Sequence, residues 1–256
     1  MPIRDYQRPT ELPAARALLR QPGAASLMFG PRVPDEPFAG IDAVVELSQL
    51  NLNYIRVTAP AIRIGVATPL QALTESAEVR AEACGLLAEA ASWVAPLTLR
   101  NLATLGGALA ATKGPPEVRL ALLVMEAVRV PDDPLAEIVL PRSPRPGLGA
   151  AFARVARSPR DEAIVAVAAK LYVHEGVCRN VRLAVAGASP QPNRLLSAEA
   201  LLEGQPWSDE RLNAVVERIR VEAQPIADYR GSVEYRKAMA GTLARRALTE
   251  AWQRAQ

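Results

Sequence analysis

The sequence has 256 residues, of which 50% are hydrophobic and 4% aromatic, a length that suits one large domain or two modest ones. Thirty Lys and Arg residues against 27 Asp and Glu residues leave a net charge of +3, which gives no strong field for nucleic acid or anionic lipid. No apolar run is long enough to span a membrane or to form the core of a signal peptide. We therefore expect a soluble, cytoplasmic protein with no nucleic-acid or membrane partner.

The thiol and imidazole groups are too few to build a metal centre. The two cysteines, Cys84 and Cys178, lie far apart in the sequence, and His174 is the single histidine. A zinc site or an iron–sulfur cluster needs several such ligands at close spacing. We expect no metal ligands in this chain and no catalytic residue.

The first 94 residues predict a mixed α/β arrangement. Thr10 is expected to cap a helix that runs to Arg20, with Pro13 in its first turn. A strand, a Gly/Pro-rich loop and a second strand follow, up to Leu47. Alternation over residues 55–68 predicts a hairpin, and Thr68 with Pro69 is expected to start a helix.

Helical spacing continues over residues 77–94, where Ser76 is the expected cap. Beyond the central motif, Pro115 and Pro116 are expected to open another apolar helix or strand–helix unit that ends near Met125. Prolines then cluster over residues 131–149, and this segment is the expected domain boundary.

The remaining residues predict strands followed by helices, so the fold class is α+β. Two apolar strands are expected on either side of residues 174–180. Ser197 and Ser208 are expected to cap two helices, the second with Leu212, Val215, Val216 and Ile219 on one face. The last helix, about 232–252, carries a stripe formed by Met239, Leu243, Ala247 and Ala251.

The most informative stretch is "LRNLATLGGALA", residues 99–110. A threonine hydroxyl followed by two residues without Cβ lets consecutive backbone N–H groups face one concavity, which suits a pyrophosphate. A tight turn is the alternative explanation for the two glycines. The stretch fits neither the G-x-G-x-x-G nor the G-x-x-x-x-G-K-[ST] pattern.

In its context this stretch resembles a segment of the FAD-binding medium subunits of molybdenum hydroxylases, the carbon monoxide dehydrogenase and xanthine dehydrogenase type. The matching positions of the Arg-Asn…Thr-Ile-Gly-Gly pattern are Arg100, Asn101, Thr104, Gly106 and Gly107. Further colinear similarities run from Asp5 to Leu248, in "DYQRPTELPAARALL", "AVVELSQL", "IRIGVAT", "FARVARSPRDEAIV" and "DYRGSVEYRKAMAGTLARRAL".

The resemblance implies a fold, a cofactor and partners. Residues 1–142 would form a two-lobed α/β FAD-binding domain of the vanillyl-alcohol oxidase type. Residues 147–256 would form a C-terminal flavoprotein domain with an antiparallel sheet and a helical bundle. The cofactor would be FAD, and an iron–sulfur subunit and a molybdenum-cofactor subunit would be the partners. A homodimer of the isolated subunit is left open.

By the same resemblance, two loops would hold FAD, with further contacts downstream. The implied residues are Phe29, Gly30, Pro31, Arg32 and Val33 in the first loop, Asn101, Thr104, Leu105, Gly106, Gly107 and Ala108 in the second, and Lys113 and Asp161 beyond it.

The sequence also departs from the family pattern. Pro31 occupies the position of the second glycine in the first loop, and proline has no N–H to donate to a phosphate. Lys113 replaces an acidic residue in "TKGPPEV", where it either offsets phosphate charge or is simply solvated. Asp161 either assists the flavin or caps a turn, and Arg154 either reaches the cofactor edge or only solvates a strand.

Two functions follow from these observations. The first is an FAD-binding electron-transfer subunit of a molybdenum-hydroxylase-type complex. The second is a degenerate homologue that has lost FAD and acts as a structural or interaction subunit, since a shared fold does not by itself secure a function.

Overall fold

The computed structural model describes residues 3–26, 40–94, 96–110, 115–130, 133–142, 146–158 and 161–256. Helices and both parallel and antiparallel strands occur, which confirms the α+β class. None of the helices in these ranges is long and apolar enough to cross a membrane.

The chain begins with a small parallel sheet in which β3 lies between β1 and β2. Its elements are β1 (Asp5–Gln7), α1 (Leu12–Leu19), β2 (Ala24–Ser26) and β3 (Ala43–Val45). The expected cap at Thr10 is wrong by one residue, because Glu11 has the extended backbone that precedes the helix. Pro13 does lie in the first turn, where its missing N–H costs no hydrogen bond.

A second lobe pairs an antiparallel sheet of order β4–β5–β6 with short helices. Its strands are β4 (Ile55–Val57), β5 (Ala61–Ile64) and β6 (Ile138–Pro141), and its helices are α2 (Leu70–Glu75), α3 (Ala77–Ala81), α4 (Leu86–Ser92), α5 (Leu97–Leu102), α6 (Leu105–Ala110) and α7 (Pro116–Val124). The hairpin, the cap at Ser76 and the helix after Pro115 are confirmed.

Two expectations for this lobe need correction. Thr68 does not cap α2, because its hydroxyl exchanges hydrogen bonds with the backbone of Tyr54 instead. The proline-rich segment is not free of regular structure, since β6 pairs along β5 and places Pro141 at the end of the strand. The division of the chain after residue 142 stays a prediction.

The helical pattern over residues 77–94 is also interrupted, by a left-handed turn. Ala83, Cys84 and Gly85 have φ angles of 44°, 55° and 76°, a conformation that is costly for residues with a Cβ. Glu82, just before the turn, pairs with Arg142, and the Cys84 thiol lies 3.9 Å from the carbonyl of Leu148. The turn therefore contacts both ends of the segment that joins β6 to the C-terminal half.

The C-terminal half is an antiparallel sheet of order β10–β9–β8–β7 with helices. Its elements are β7 (Leu148–Val155), β8 (Val165–His174), β9 (Val177–Ala186), β10 (Asn193–Arg194), α8 (Leu196–Glu199), α9 (Asp209–Glu222) and α10 (Val233–Arg254). Ser208 caps α9 as expected. Ser197 does not cap α8, because the helix begins at Leu196 and Ser197 therefore lies inside it.

Both faces of this sheet are buried, because strand residues alternate between two sides. One face packs against α10, beside which α9 lies, and Leu243, Ala247 and Ala251 from the predicted stripe are buried there. The opposite face packs against the N-terminal half, where α7 lies on β8 and β9. The side chains at that contact are alanines, namely Ala166, Ala168, Ala184 and Ala186.

At the end of α7, Glu126 meets three cations of the C-terminal sheet. Its carboxylate lies 2.8 Å from Arg182, 3.8 Å from the buried Lys170 and 3.9 Å from Arg194. Burial raises the pKa of Glu126, but the hydrogen bond from Arg182 and the charges of the other two cations outweigh it and hold the pKa below the ordinary value. This ion cluster ties the C-terminus of α7 to the sheet.

Gly149 on β7 allows the closest approach between the sheet and α10. A Cβ at this position would lie 1.7 Å from the carbonyl oxygen of Ala251. We expect Gly149→Ala to lower the free energy of unfolding by about 3 kcal/mol, because the helix backbone must move. Gly231→Ala is the control, since its nearest neighbour is the Tyr235 ring at 3.0 Å, which can rotate. Equal midpoints in urea for both variants would contradict this explanation.

The start of α10 is organised around Arg236, which is buried. Its guanidinium donates to the carbonyls of Ile164 at 2.6 Å and Gly187 at 3.4 Å, and to the Asp228 carboxylate at 2.6 Å. Arg230 also donates to Asp228, at 2.9 Å. Partial burial raises the pKa of Asp228, but these hydrogen bonds dominate and hold it well below its usual range.

Because the folded-state pKa of Asp228 is lowered, its contribution to stability is present above the unfolded-state pKa and is lost as the pH falls. We expect Asp228→Asn to cost about 2 kcal/mol at pH 7, where charge-assisted hydrogen bonds are lost. The difference should shrink below about pH 4, as the unfolded carboxyl takes up a proton. Urea unfolding at several pH values measures it, and a difference that is constant from pH 7 to pH 3 would exclude this role.

Candidate functional site

The residues of the second predicted FAD loop form the start of helix α6. Neither Gly106 nor Gly107 is among the glycines with a positive φ, and both are buried within the helix. The hydroxyl of Thr104 accepts a hydrogen bond from the amide of Gly107 at 3.1 Å. Thr104 therefore acts as a helix cap, and the sharp-turn explanation of the two glycines is wrong.

The backbone amides of this helix start already have acceptors in the protein. Leu105 donates to the carbonyl of Thr68 at 2.9 Å, Gly106 to that of Val66 at 2.8 Å, and Ala108 to that of Thr104 at 2.9 Å. With Gly107 bonded to Thr104, no amide from 105 to 108 is left to face a phosphate. The expectation that consecutive N–H groups open into one concavity is therefore wrong here.

Helix α5, which leads into this site, is held by polar contacts. It buries none of its residues, and Leu97 and Leu102 are half exposed or more. Arg100 donates to Gln71 at 2.8 Å and to the carbonyl of Val94 at 3.0 Å, so it fastens α5 to α2 and to the end of α4. Asn101, a predicted FAD contact, is exposed on α5.

Asp161 lies in a turn after β7 and is joined to the N-terminal half through Arg154. The amide of Asp161 donates to the carbonyl of Ser158, and its own carbonyl accepts from Arg154. The backbone of Asp161 thus takes part in a turn, and a place in a turn was one of the two roles expected for this residue. The role of its side chain toward FAD stays a prediction.

Arg154 does not simply solvate a strand. Its guanidinium lies 3.4 Å from the carboxylate of the buried Glu117 and 5.0 Å from the centre of the Trp93 ring. Burial raises the pKa of Glu117, which the charge of Arg154 opposes. Trp93 in turn contacts Phe152 edge to face, with ring centroids 5.3 Å apart. This group joins α4, α7 and β7.

Sequence reasoning passed over Glu117, although a signal was present. In "TKGPPEV" Glu117 is an acidic residue at the start of the apolar stretch that follows Pro115 and Pro116, and a buried charge in such a stretch needs a partner. Phe29, Gly30, Pro31, Arg32, Val33 and Lys113 lie outside the described residues.

The described residues fit FAD only in part. Thr104 to Ala108 supply a helix start with two residues that lack a Cβ, but they have no spare amide for the pyrophosphate.

Comparison with known proteins identifies the family over nearly the whole length. The FAD-binding domain in molybdopterin dehydrogenase matches residues 2–134, and the CO dehydrogenase flavoprotein C-terminal domain matches residues 150–251.

Individual proteins that are similar to this chain support the same family. The carbon monoxide dehydrogenase medium chain of Hydrogenophaga pseudoflava is 26% identical and covers 98% of this chain and 97% of its own. The xanthine dehydrogenase FAD-binding subunit of Escherichia coli O157:H7 is 25% identical, with 96% and 95% covered. A solved structure of the carbon monoxide dehydrogenase from H. pseudoflava aligns with a TM-score of 0.89 at 26% identity, over 99% of this chain and 98% of that one.

FAD is the cofactor of the domain family that matches the N-terminal half. The chain belongs to the FAD-binding subunits of the molybdenum hydroxylase family.

Proposed function

We propose that the chain is the electron-transfer subunit of a molybdenum-hydroxylase-type complex. It would stand between an iron–sulfur subunit and a molybdenum-cofactor subunit and pass electrons to an external acceptor. The observation that carries the proposal is the paired match of both family domains, over residues 2–134 and 150–251. When bound, FAD supplies the redox chemistry through its isoalloxazine ring.

In this proposal the protein binds and orients the cofactor and needs no acid or base of its own. Residues 29–33 would contact the phosphates, and α6 would lie against the cofactor with Gly106 and Gly107. Asn101 and Asp161 would contribute at the edges of the site. Cys84 and Cys178 are both free thiols and the sequence has no other cysteine, which is fewer than the four ligands of an iron–sulfur cluster, so the clusters would belong to the partner subunit.

A second candidate is a homologue that has lost FAD and acts as a structural subunit. Two observations favour it: Pro31 lacks the N–H that a glycine would offer, and the amides of α6 are engaged within the chain. In that case the chain would contribute surfaces that bind the partner subunits.

Absorbance and thermal unfolding of the purified protein test whether it binds FAD. We expect flavin absorbance bands in the preparation, and a higher melting temperature after FAD is added, because binding to the native state alone stabilises it by about 2.7 kcal/mol at a hundred times the Kd. A colourless protein whose melting temperature does not respond to FAD would contradict the electron-transfer function.

Pro31→Gly separates the two candidates further. If the proline removes one phosphate contact, the variant should bind FAD about tenfold more tightly, which corresponds to one charge-assisted hydrogen bond. Fluorescence titration of FAD measures the change. Binding by the variant and not by the parent would support the structural-subunit candidate, whereas equally tight binding by both would show that Pro31 does not weaken the loop.

A further inference from the structure

Helix α6 is held at both ends, and Arg119 holds the C-terminal one. The Nη2 atom of Arg119 donates to the carbonyl of Leu109 at 2.9 Å. The last carbonyls of a helix have no partner within it and carry its partial negative charge, so a guanidinium is favourable there. The first turn is fixed by the bonds to Val66, Thr68 and Thr104 already described.

The same guanidinium reaches the C-terminal half. Its Nη1 atom lies 3.5 Å from the side-chain oxygen of Gln191, in the segment between β9 and β10. The carbonyl of Gln191 accepts from the Ser189 hydroxyl at 2.6 Å, which orders the backbone of that segment. Arg119 therefore contacts α6 and the C-terminal half at once.

The position of Arg119 is set by its helix. Its neighbours Val118 and Leu120 are fully buried, and α7 packs on the alanine-lined face of β8 and β9. The side chain itself is half buried, and burial lowers the pKa of its guanidinium. A charge that is partly removed from water in this way needs hydrogen-bond acceptors, which Leu109 and Gln191 provide.

We propose that Arg119 is a positioning residue of the FAD site, which fixes the placement of Gly106 and Gly107 by holding the last turn of the helix that contains them. The inference rests on the proposed function. Since α6 has only six residues, the contact at its last turn adds to the bonds of its first turn and fixes the direction of the helix axis, on which the placement of the two glycines depends. The family resemblance does not include this position among the implied FAD residues.

An arginine suits this task better than a lysine. Its planar group presents N–H donors in two directions, one toward Leu109 and one toward Gln191, whereas a lysine ammonium acts as a point charge on a flexible stem. Arg119→Lys keeps the charge but should lose one of the two contacts. Gln191→Glu should strengthen the second contact, because it turns a neutral acceptor into a charged one.

The experiment compares FAD affinity and amide hydrogen exchange in the full chain. We expect Arg119→Lys to weaken FAD binding by at least about fivefold and to speed exchange of amides 107–110 in the FAD-free protein. Gln191→Glu should bind FAD at least as tightly as the parent. The matched control is Arg254→Lys, which changes another guanidinium–carbonyl bond, to Ala150 at 2.7 Å, and should alter neither measurement.

These measurements distinguish failure of the positioning role from failure of the proposed function. If the parent binds FAD and Arg119→Lys binds it equally well, or if Arg254→Lys weakens it as much, the positioning role is overturned and the electron-transfer function stands. If exchange over 107–110 is unchanged in Arg119→Lys, the guanidinium does not hold the helix and the inference is overturned. If neither the parent nor Pro31→Gly binds FAD, the proposed function fails, and with it any role of Arg119 toward FAD.

Discussion

The contact between helix α7 and the alanine face of β8 and β9 joins the two halves of the molecule. Small side chains at Ala166, Ala168, Ala184 and Ala186 let the helix lie close to the strands, and its apolar residues complete one core. Dispersion contacts of this kind are weak singly and large together. Because this packing sets the position of α7, it also sets the positions of the polar contacts that the helix carries.

Three charged residues on or just beyond α7 depend on that contact. Glu117 meets Arg154, Arg119 meets Leu109 and Gln191, and Glu126 meets Lys170, Arg182 and Arg194. Each of them joins α7 to an element of the C-terminal half. Buried or half-buried pairs add little net stability over apolar packing, but a shifted register of α7 on the sheet would leave these charges without partners, which is costly.

Much of the fold was predictable, because local patterns and tertiary packing agree. The hairpin over residues 55–68, the cap at Ser208 and the stripe on α10 all follow from periodicity or from a side-chain hydrogen bond within a few residues. Two of the errors arose at places that make distant contacts. Thr68 bonds to Tyr54 instead of capping a helix, and the turn at 83–85 is left-handed although two of its residues carry a Cβ.

The sequence named Thr104 to Ala108 as FAD contacts, which stays a prediction, but it did not reveal how their amides are bonded. These residues form a helix start, and only the fold shows that the carbonyls of Thr68 and Val66 accept from the amides of Leu105 and Gly106. Arg119 gave no signal of its own, because its partners lie 10 and 72 residues away. A sequence motif relates residues that are close along the chain, so it does not predict contacts between residues this far apart.

Helix α5 has a consequence for local opening of the fold. Because it buries none of its side chains and is fastened in part through Arg100, its opening exposes little apolar surface and costs far less free energy than opening the sheet. Opening of α5 is therefore compatible with an otherwise folded core.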